Sequence, residues 1–455
     1  MKRSLRKRLA RRSFLKAAGL FSIGSLWTDS LLEALPQNTN TNSKPSELKI
    51  TDMRVATVVR APMTCPIIRI DTNQGIYGLG EVRDGSSATY ALMLKGRLLG
   101  ENPCNVEKVF RKIKQFGGES RQAGGVCGVE MALWDLAGKA YNVPVYQMIG
   151  GKFRDKVRIY CDTTESNDPK VYGQRLKARM EQGFTWLKMD LGIDLVQNVP
   201  GAVSHPLGMD PTRDTHWIEH PFTGVEITQK GCDLMAEYVA TVRQQVGMEV
   251  PLSADHFGHI GVNSCIRLGK RLTEYNLAWL EDMVPWFRPD LLKEISSEVD
   301  IPLATGEDIY LPEGFEKLAE MHAVDIFHPD PGSAGGVLGT KGVSDLAEKY
   351  GIGCAVHFAG TPVCCLAGVH AIAAMSNFLA MENHSVDVPW WDSLVEGVDK
   401  PIVNHGFITV PDKPGLGVTL NEEAVKAHLM PGTGYFEPTP QWDNEGKRVN
   451  DRLWS

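Results

Sequence analysis

The chain has 455 residues, 43% hydrophobic and 23% charged, with a net charge of −7. This composition excludes a disordered chain, and the length accommodates one barrel of about 250 residues plus a second domain. The body carries no long basic stripe, which excludes nucleic acid as the expected partner.

Residues 1–46 stand apart. "MKRSLRKRLARRSFLKAAGLFSIGSLW" has a basic start, the pair Arg11-Arg12, and an apolar run too short to span a bilayer. It resembles a twin-arginine export signal, with a basic amphipathic tail as the alternative. The linker "PQNTNTNSKPSE" follows, and the folded part is expected near Leu48. No small-x-small cleavage site follows the apolar run, so the segment is expected either to be removed or to stay as a membrane anchor. The nine cysteines include no CxxC pair and no zinc spacing, which predicts buried thiols. That suits a periplasmic protein folded in the cytoplasm before export.

Residues 47–152 open with strand-like "KITDMRVATVV" and "IIRIDTNQGIYGLGEV", with turn chemistry at Asn73-Gln74-Gly75. Helical periodicity then runs through "GVEMALWDLAGKAYNVPVYQMIGG", which predicts an α+β domain. Residues 153–395 repeat one theme: an apolar strand, a polar residue at its C-terminal end, then a helix. The strands are "VRIYCD" (157–162), "TWLKMDL" (185–191), "VPLSADH" (250–256) and "LAWLEDM" (277–283). They continue with "IPLATGED" (301–308), "AVDIFHPD" (323–330), "IGCAVHF" (352–358) and "NFLAMENH" (377–384). Eight such units predict a parallel α/β barrel, whose working residues gather at the C-terminal strand ends. Those ends carry Lys188, Asp255, Glu281, Glu307, Asp330, His357 and Glu382. An insertion at 193–230, rich in Gly, Pro and His, reads as a lid or a surface excursion. Residues 396–455 turn loop-rich and are expected to complete the first domain.

Asp255, Glu281 and Glu307 end successive strands at equal spacings (281 − 255 = 307 − 281 = 26). Three carboxylates on one rim repel one another unless a cation sits between them, and oxygen-only ligands suit Mg²⁺ better than zinc. With "VEMALWDLAGK" before "PVYQMIGG", "LKMD" and an Asp–His pair from the sixth and seventh strands, the chain resembles the enolase superfamily, mandelate racemase/muconate lactonizing enzyme-like subgroup. The resemblance spans residue 48 to about 420. It implies a modified (β/α)7β TIM-type barrel with an α+β capping domain, a homo-oligomer, Mg²⁺, and removal of a proton α to a carboxylate.

Carried over by position, the resemblance makes Asp255, Glu281 and Glu307 the metal ligands and Lys188 a base on one face of the substrate. Asp330 and His357 become a dyad on the opposite face, where His357 takes a proton or gives one to a departing hydroxide. Glu382 corresponds to an eighth-strand acid that hydrogen-bonds the intermediate. Asp308 is expected to support Glu307. A second lysine frequent in relatives is replaced by Asp190, which is expected to pair with Lys188 or orient it. Some sugar-acid dehydratases carry a histidine where Phe257 stands. Here His256 and His259 flank that position, and strand alternation points His256 away from Asp255. The loops at 61–66 and 83–87 are expected to set specificity.

The leading expectation is a Mg²⁺-dependent dehydratase converting a sugar acid, a small-molecule carboxylate, to a 2-keto-3-deoxy acid. A racemase, epimerase or cycloisomerase is the alternative, since it shares the first step. A binding protein on an inactive barrel has no use for the full set of acids, lysine and dyad.

Overall fold

The computed structural model describes residues 44–206, 224–257 and 260–444. Alternating apolar residues build the first layer, an antiparallel sheet of β1 (Ile50–Val58), β2 (Cys65–Thr72) and β3 (Tyr77–Glu81). Helix α1 (Val106–Ile113) packs on α2 (Gly124–Tyr141), which lies against the sheet. Helix α2 is buried nearly all round because it serves two cores. Val126, Val129 and Leu133 join Ile68 and Val82 in the cap, while Cys127 and Met131 join the main core. Its glycines allow backbone contact with the sheet: a Cβ on Gly80 would lie 1.9 Å from the Gly128 carbonyl oxygen.

The second layer is the barrel. Its strands are β4 (Lys156–Cys161), β5 (Leu187–Asp190), β6 (Leu252–Asp255), β7 (Leu280–Glu281), β8 (Leu303–Thr305), β9 (Ile326–Phe327), β10 (Gly353–Val356) and β11 (Phe378–Asn383). Between them run α3 (Pro169–Glu181), α4 (Gln229–Val246), α5 (Val262–Leu272), α6 (Pro289–Glu298), α7 (Leu311–Met321), α8 (Gly336–Lys349) and α9 (Pro362–Ala373). With β12 (Phe407–Thr409) from the tail, the sheet order is β12-β4-β11-β10-β9-β8-β7-β6-β5, and β4 also lies against β5. Strands β4 to β11 pair in parallel, while β12 runs antiparallel to β4. This is a TIM-type barrel with an N-terminal cap, and all eight expected strands are present.

The ladders are shorter than the apolar runs. "IPLATGED" pairs only over Leu303–Thr305, because Gly306 (φ 140°) breaks the strand. A Cβ there would meet the Phe315 ring at 2.5 Å, so glycine alone lets the chain deliver Glu307 to the rim. Inside the barrel Tyr160, Trp186 and Trp279 pack with the small Ala304, Ala355 and Ala380. Alternation along the same strands sends the next inward residues upward to form the site.

In the insertion, Val203–Ser204 pair with Glu226–Ile227, and α4 begins at Gln229 behind the N-cap Thr228. After β12 the tail crosses to the cap: Leu416 donates to Asp135 of α2 (2.8 Å) and Met430 to the Thr57 carbonyl (2.8 Å). The tail therefore adds a strand to the barrel as well as packing on the cap.

Two buried cap carboxylates cap barrel helices. Glu81 accepts from Thr361 N (3.0 Å) and Cys364 N (3.4 Å) at the start of α9. Glu130 accepts from Val337 N (2.7 Å) and Leu338 N (3.0 Å) at the start of α8. Each satisfies amides that a helix start leaves without intrahelical partners. Burial pushes both carboxyls up to about 8, against the opposing pull of these hydrogen bonds. Among the described residues no helix is long and apolar enough to cross a membrane.

Candidate active site

Parallel pairing places Lys188 of β5 beside Ser253 and Asp190 beside Asp255. Lys188 points into the barrel, with its Nζ 2.7 Å from Asp255 Oδ2, 2.8 Å from Glu382 Oε1 and 3.5 Å from Glu281 Oε1. Burial opposes its charge, yet those three carboxylates hold the ammonium well above the ordinary lysine range. Asp190 does not pair with Lys188; its Oδ1 lies 3.8 Å from His256 Nε2.

His256 corrects a second expectation. Strand β6 ends at Asp255, and a left-handed φ of 61° returns the next side chain toward the strand end. His256 Nε2 thus stands 3.6 Å from Asp255 Oδ2, where continued alternation would have turned it away. His259 lies outside the described residues.

Asp330 and His357 meet across β9 and β10, with Oδ2 2.6 Å from Nδ1. The other ring nitrogen of His357 is 3.2 Å from Glu307 Oε2 and 3.8 Å from Glu382 Oε2. Burial pulls the imidazole down, but Glu307 and Asp330 prevail and raise it to about 9. Asp308 faces away, 3.3 Å from Arg83 and 3.9 Å from Arg121.

The acids do not form one cluster of the expected three. Glu281, Asp282 and Glu307 present carboxylate oxygens within 4.8 Å of one another, whereas Asp255 is in no such group among the described residues. Asp282 enters because a φ of 48° ends β7 and a 2.5 Å hydrogen bond from Thr305 Oγ1 holds its carboxylate. The donors are all oxygen and partly open, which fits a hard dication such as Mg²⁺.

Several site residues escaped the sequence reading. His328 is fully buried beneath the acids, with Nδ1 2.8 Å from Glu281 Oε1 and Nε2 2.8 Å from the Tyr160 hydroxyl. Trp279 Nε1 donates to Glu281 Oε2 at 2.9 Å, so the aromatic barrel floor orients that acid. His384 lies 3.3 Å from Glu382 Oε1 and 3.5 Å from Asp162 Oδ2. The signal for both histidines was available: His328 precedes Asp330 by two residues and His384 follows Glu382 by two, a spacing that alternation keeps on one face.

Arg83 carried no such signal, because it arrives from the cap. Its side chain is wholly buried and its guanidinium meets Asp84 (3.2 Å), Asp308 (3.3 Å), Glu307 Oε1 (3.4 Å) and Asp330 Oδ1 (3.7 Å). It also donates to the Glu307 carbonyl and to Ser333 Oγ. This residue, at the head of a loop expected to set specificity, ties the cap to a rim acid and to the carboxylate behind His357.

Comparisons with known proteins agree with this geometry. The family profile "Mandelate racemase / muconate lactonizing enzyme, N-terminal domain" matches residues 36–150, and "Enolase C-terminal domain-like" matches residues 172–424. The chain is 34% identical over 409 residues to the D-xylonate dehydratase of Haloferax volcanii, covering 88% of this chain and 93% of that one. It is 26% identical to a D-galactonate dehydratase family member from Musicola paradisiaca, covering 85% and 95%. A crystal structure of a mandelate racemase/muconate lactonizing enzyme-like protein from Rubrobacter xylanophilus superposes with a TM-score of 0.75 at 30% identity, covering 86% of this chain and 99% of that one. The chain belongs to the enolase superfamily, in its mandelate racemase/muconate lactonizing enzyme-like subgroup.

Proposed function

We propose that the protein is a Mg²⁺-dependent sugar-acid dehydratase, removing the C2 proton of an aldonate and expelling the C3 hydroxyl to yield a 2-keto-3-deoxy acid. One observation carries the reading. An imidazole backed by a carboxylate (His357–Asp330, 2.6 Å) and a buried ammonium (Lys188) flank a rim of acids at one barrel mouth. The dehydratase relatives supply the reaction class.

Glu281 and Glu307, with Asp282 converging on them, would hold Mg²⁺ together with Asp255, which now pairs with Lys188 and which the family resemblance gives the same role. The ion when bound would supply positive charge to the carboxylate end of the substrate. Lys188 and His357 are the groups that would move the C2 proton; whichever accepts it must be neutral, and a dication on the rim acids would offset the negative charge that otherwise holds their protons. Asp330 fixes the His357 ring and supports its charge. Glu382, fully buried between Lys188 and His384, positions the lysine. Tyr160, Trp186 and Trp279 close the barrel below and exclude water from the floor.

The test is incubation of the purified protein with Mg²⁺ and a panel of five- and six-carbon aldonates, including D-xylonate and D-galactonate, with detection of 2-ketoacids. Ketoacid formation is expected; C2 epimerisation without ketoacid replaces the reading with an isomerase. The Arg11-Arg12 leader supports export through the twin-arginine route. Replacing both arginines by lysine is expected to keep the protein in the cytoplasm on cell fractionation, and unchanged periplasmic recovery would refute this.

A further inference from the structure

The rim carries two carboxylate–imidazole pairs, and the proposed reaction has two proton transfers. The first pair, Asp330–His357, joins β9 and β10. The second, Asp162–His384, joins β4 and β11 where the register Asn383↔Cys161 runs out into the rim. Its imidazole has Nδ1 3.5 Å from Asp162 Oδ2 and Nε2 3.3 Å from Glu382 Oε1. Its ring centre lies 5.7 Å from that of His357.

The two rings differ in surroundings. His357 sits among the rim acids, 3.2 Å from Glu307, at the end where the substrate carboxylate and its C2 belong. The His384 side chain is 20% exposed against 8% for His357, whereas His328 is wholly sealed. A separation of 5.7 Å lets two imidazoles reach adjacent carbons of one substrate, each at hydrogen-bonding distance.

We propose that His384 is the catalytic acid that protonates the departing C3 hydroxyl, with Asp162 as its positioning residue. This assignment rests on the dehydration reading. In the step, the C2–H electron pair becomes the C2–C3 double bond as a base on the C2 side takes the proton. The C3–O bond breaks with its pair, and the imidazolium proton joins that oxygen as water. The enol then tautomerises to the 2-ketoacid, so no oxidant or other reactant is needed. Burial opposes the imidazolium, yet Glu382 and Asp162 raise His384 to about 10, so it carries a proton to give at neutral pH. Asp162 stands against the ring nitrogen away from Glu382 at 3.5 Å, a looser contact than the 2.6 Å of Asp330 on His357.

The test compares wild type with His384→Asn, full chain with Mg²⁺, on the aldonate that wild type converts best and on its 3-deoxy-3-fluoro analogue. Fluoride departs without needing a proton. Dehydration by the variant is expected to fall at least about 100-fold, the span of general acid catalysis, while fluoride release stays within about fivefold of wild type. Retained fluoride release also shows that the variant is folded. Equal losses on both substrates, or none on either, would overturn the assignment. Wild type that makes ketoacid from no aldonate in the panel sinks the dehydration reading itself. Wild type that makes it alongside an unimpaired variant sinks only the role of His384.

Discussion

Replacing Arg83 probes the join between cap and barrel. The guanidinium is wholly buried and meets four carboxylates between 3.2 and 3.7 Å. Two of these, Asp84 and Asp330, are themselves only 2% exposed. At an effective dielectric near 20, a unit charge pair at such a distance interacts by about 5 kcal/mol before desolvation is subtracted. Arg83→Met leaves the two buried carboxylates without their cation, a loss of about 3–5 kcal/mol. Arg83→Lys keeps the charge but not the planar fork that also serves Ser333 and the Glu307 carbonyl, and should lose about 1–3 kcal/mol. Urea unfolding followed through the ten tryptophans measures both. The chemistry should suffer too, because Arg83 is the chief partner that offsets the burial of Asp330 and keeps it ionised behind His357. In Arg83→Met, kcat is expected to fall with KM little changed, and added guanidinium to restore part of it. Stability within about 1 kcal/mol of wild type for Arg83→Met would refute the reasoning.

His370, buried in α9 where it accepts a hydrogen bond from Tyr146 N (3.4 Å), is held down to about 4 by burial. Below its ordinary value of 6.5 the unfolded chain binds the proton first, so stability is lost as pH falls from 6.5 to 4, by about 3 kcal/mol. His370→Gln should flatten that limb of the unfolding midpoint against pH, and an unaltered limb would count against the assignment. Glu281→Gln should abolish Mg²⁺-dependent turnover and the rise in melting temperature that Mg²⁺ produces in wild type, with circular dichroism unchanged; full activity would refute its place at the metal. Glu81→Ala, which strips two amides at the start of α9 of their acceptor, should cost about 2–3 kcal/mol and speed hydrogen exchange there selectively. Uniform exchange across the chain would show that the carboxylate does not act locally.

How much of the site was legible depended on whether a residue obeys a period. Lys188, Asp255, Glu281, Glu307, Asp330, His357 and Glu382 lie in or just after successive barrel strands, so position along the chain translated into position around the rim. His328 and His384 obey the same alternation two residues from named acids and could have been read. Asp282 could not, and for His256, a possible site residue from the sequence, the direction could not, because left-handed backbone at strand ends turns side chains out of the alternation.

The sequence by itself determined a first α+β domain, the eight-strand barrel and the order of the rim acids, since these follow from local apolar periodicity and repeat length; that the first domain caps the barrel came from the resemblance to the enolase superfamily. Tertiary structure alone decided which groups touch. Lys188 pairs with Asp255, Glu281 and Glu382 and leaves Asp190 to His256. Arg83 reaches from the cap to Glu307 and Asp330, and Asp162 of the first barrel strand meets His384 after the last. The Arg83 and Asp162 contacts join residues more than 200 positions apart and those of Lys188 and Asp190 between 66 and 194; their partners are set by barrel closure and by burial of charge, which no local pattern encodes.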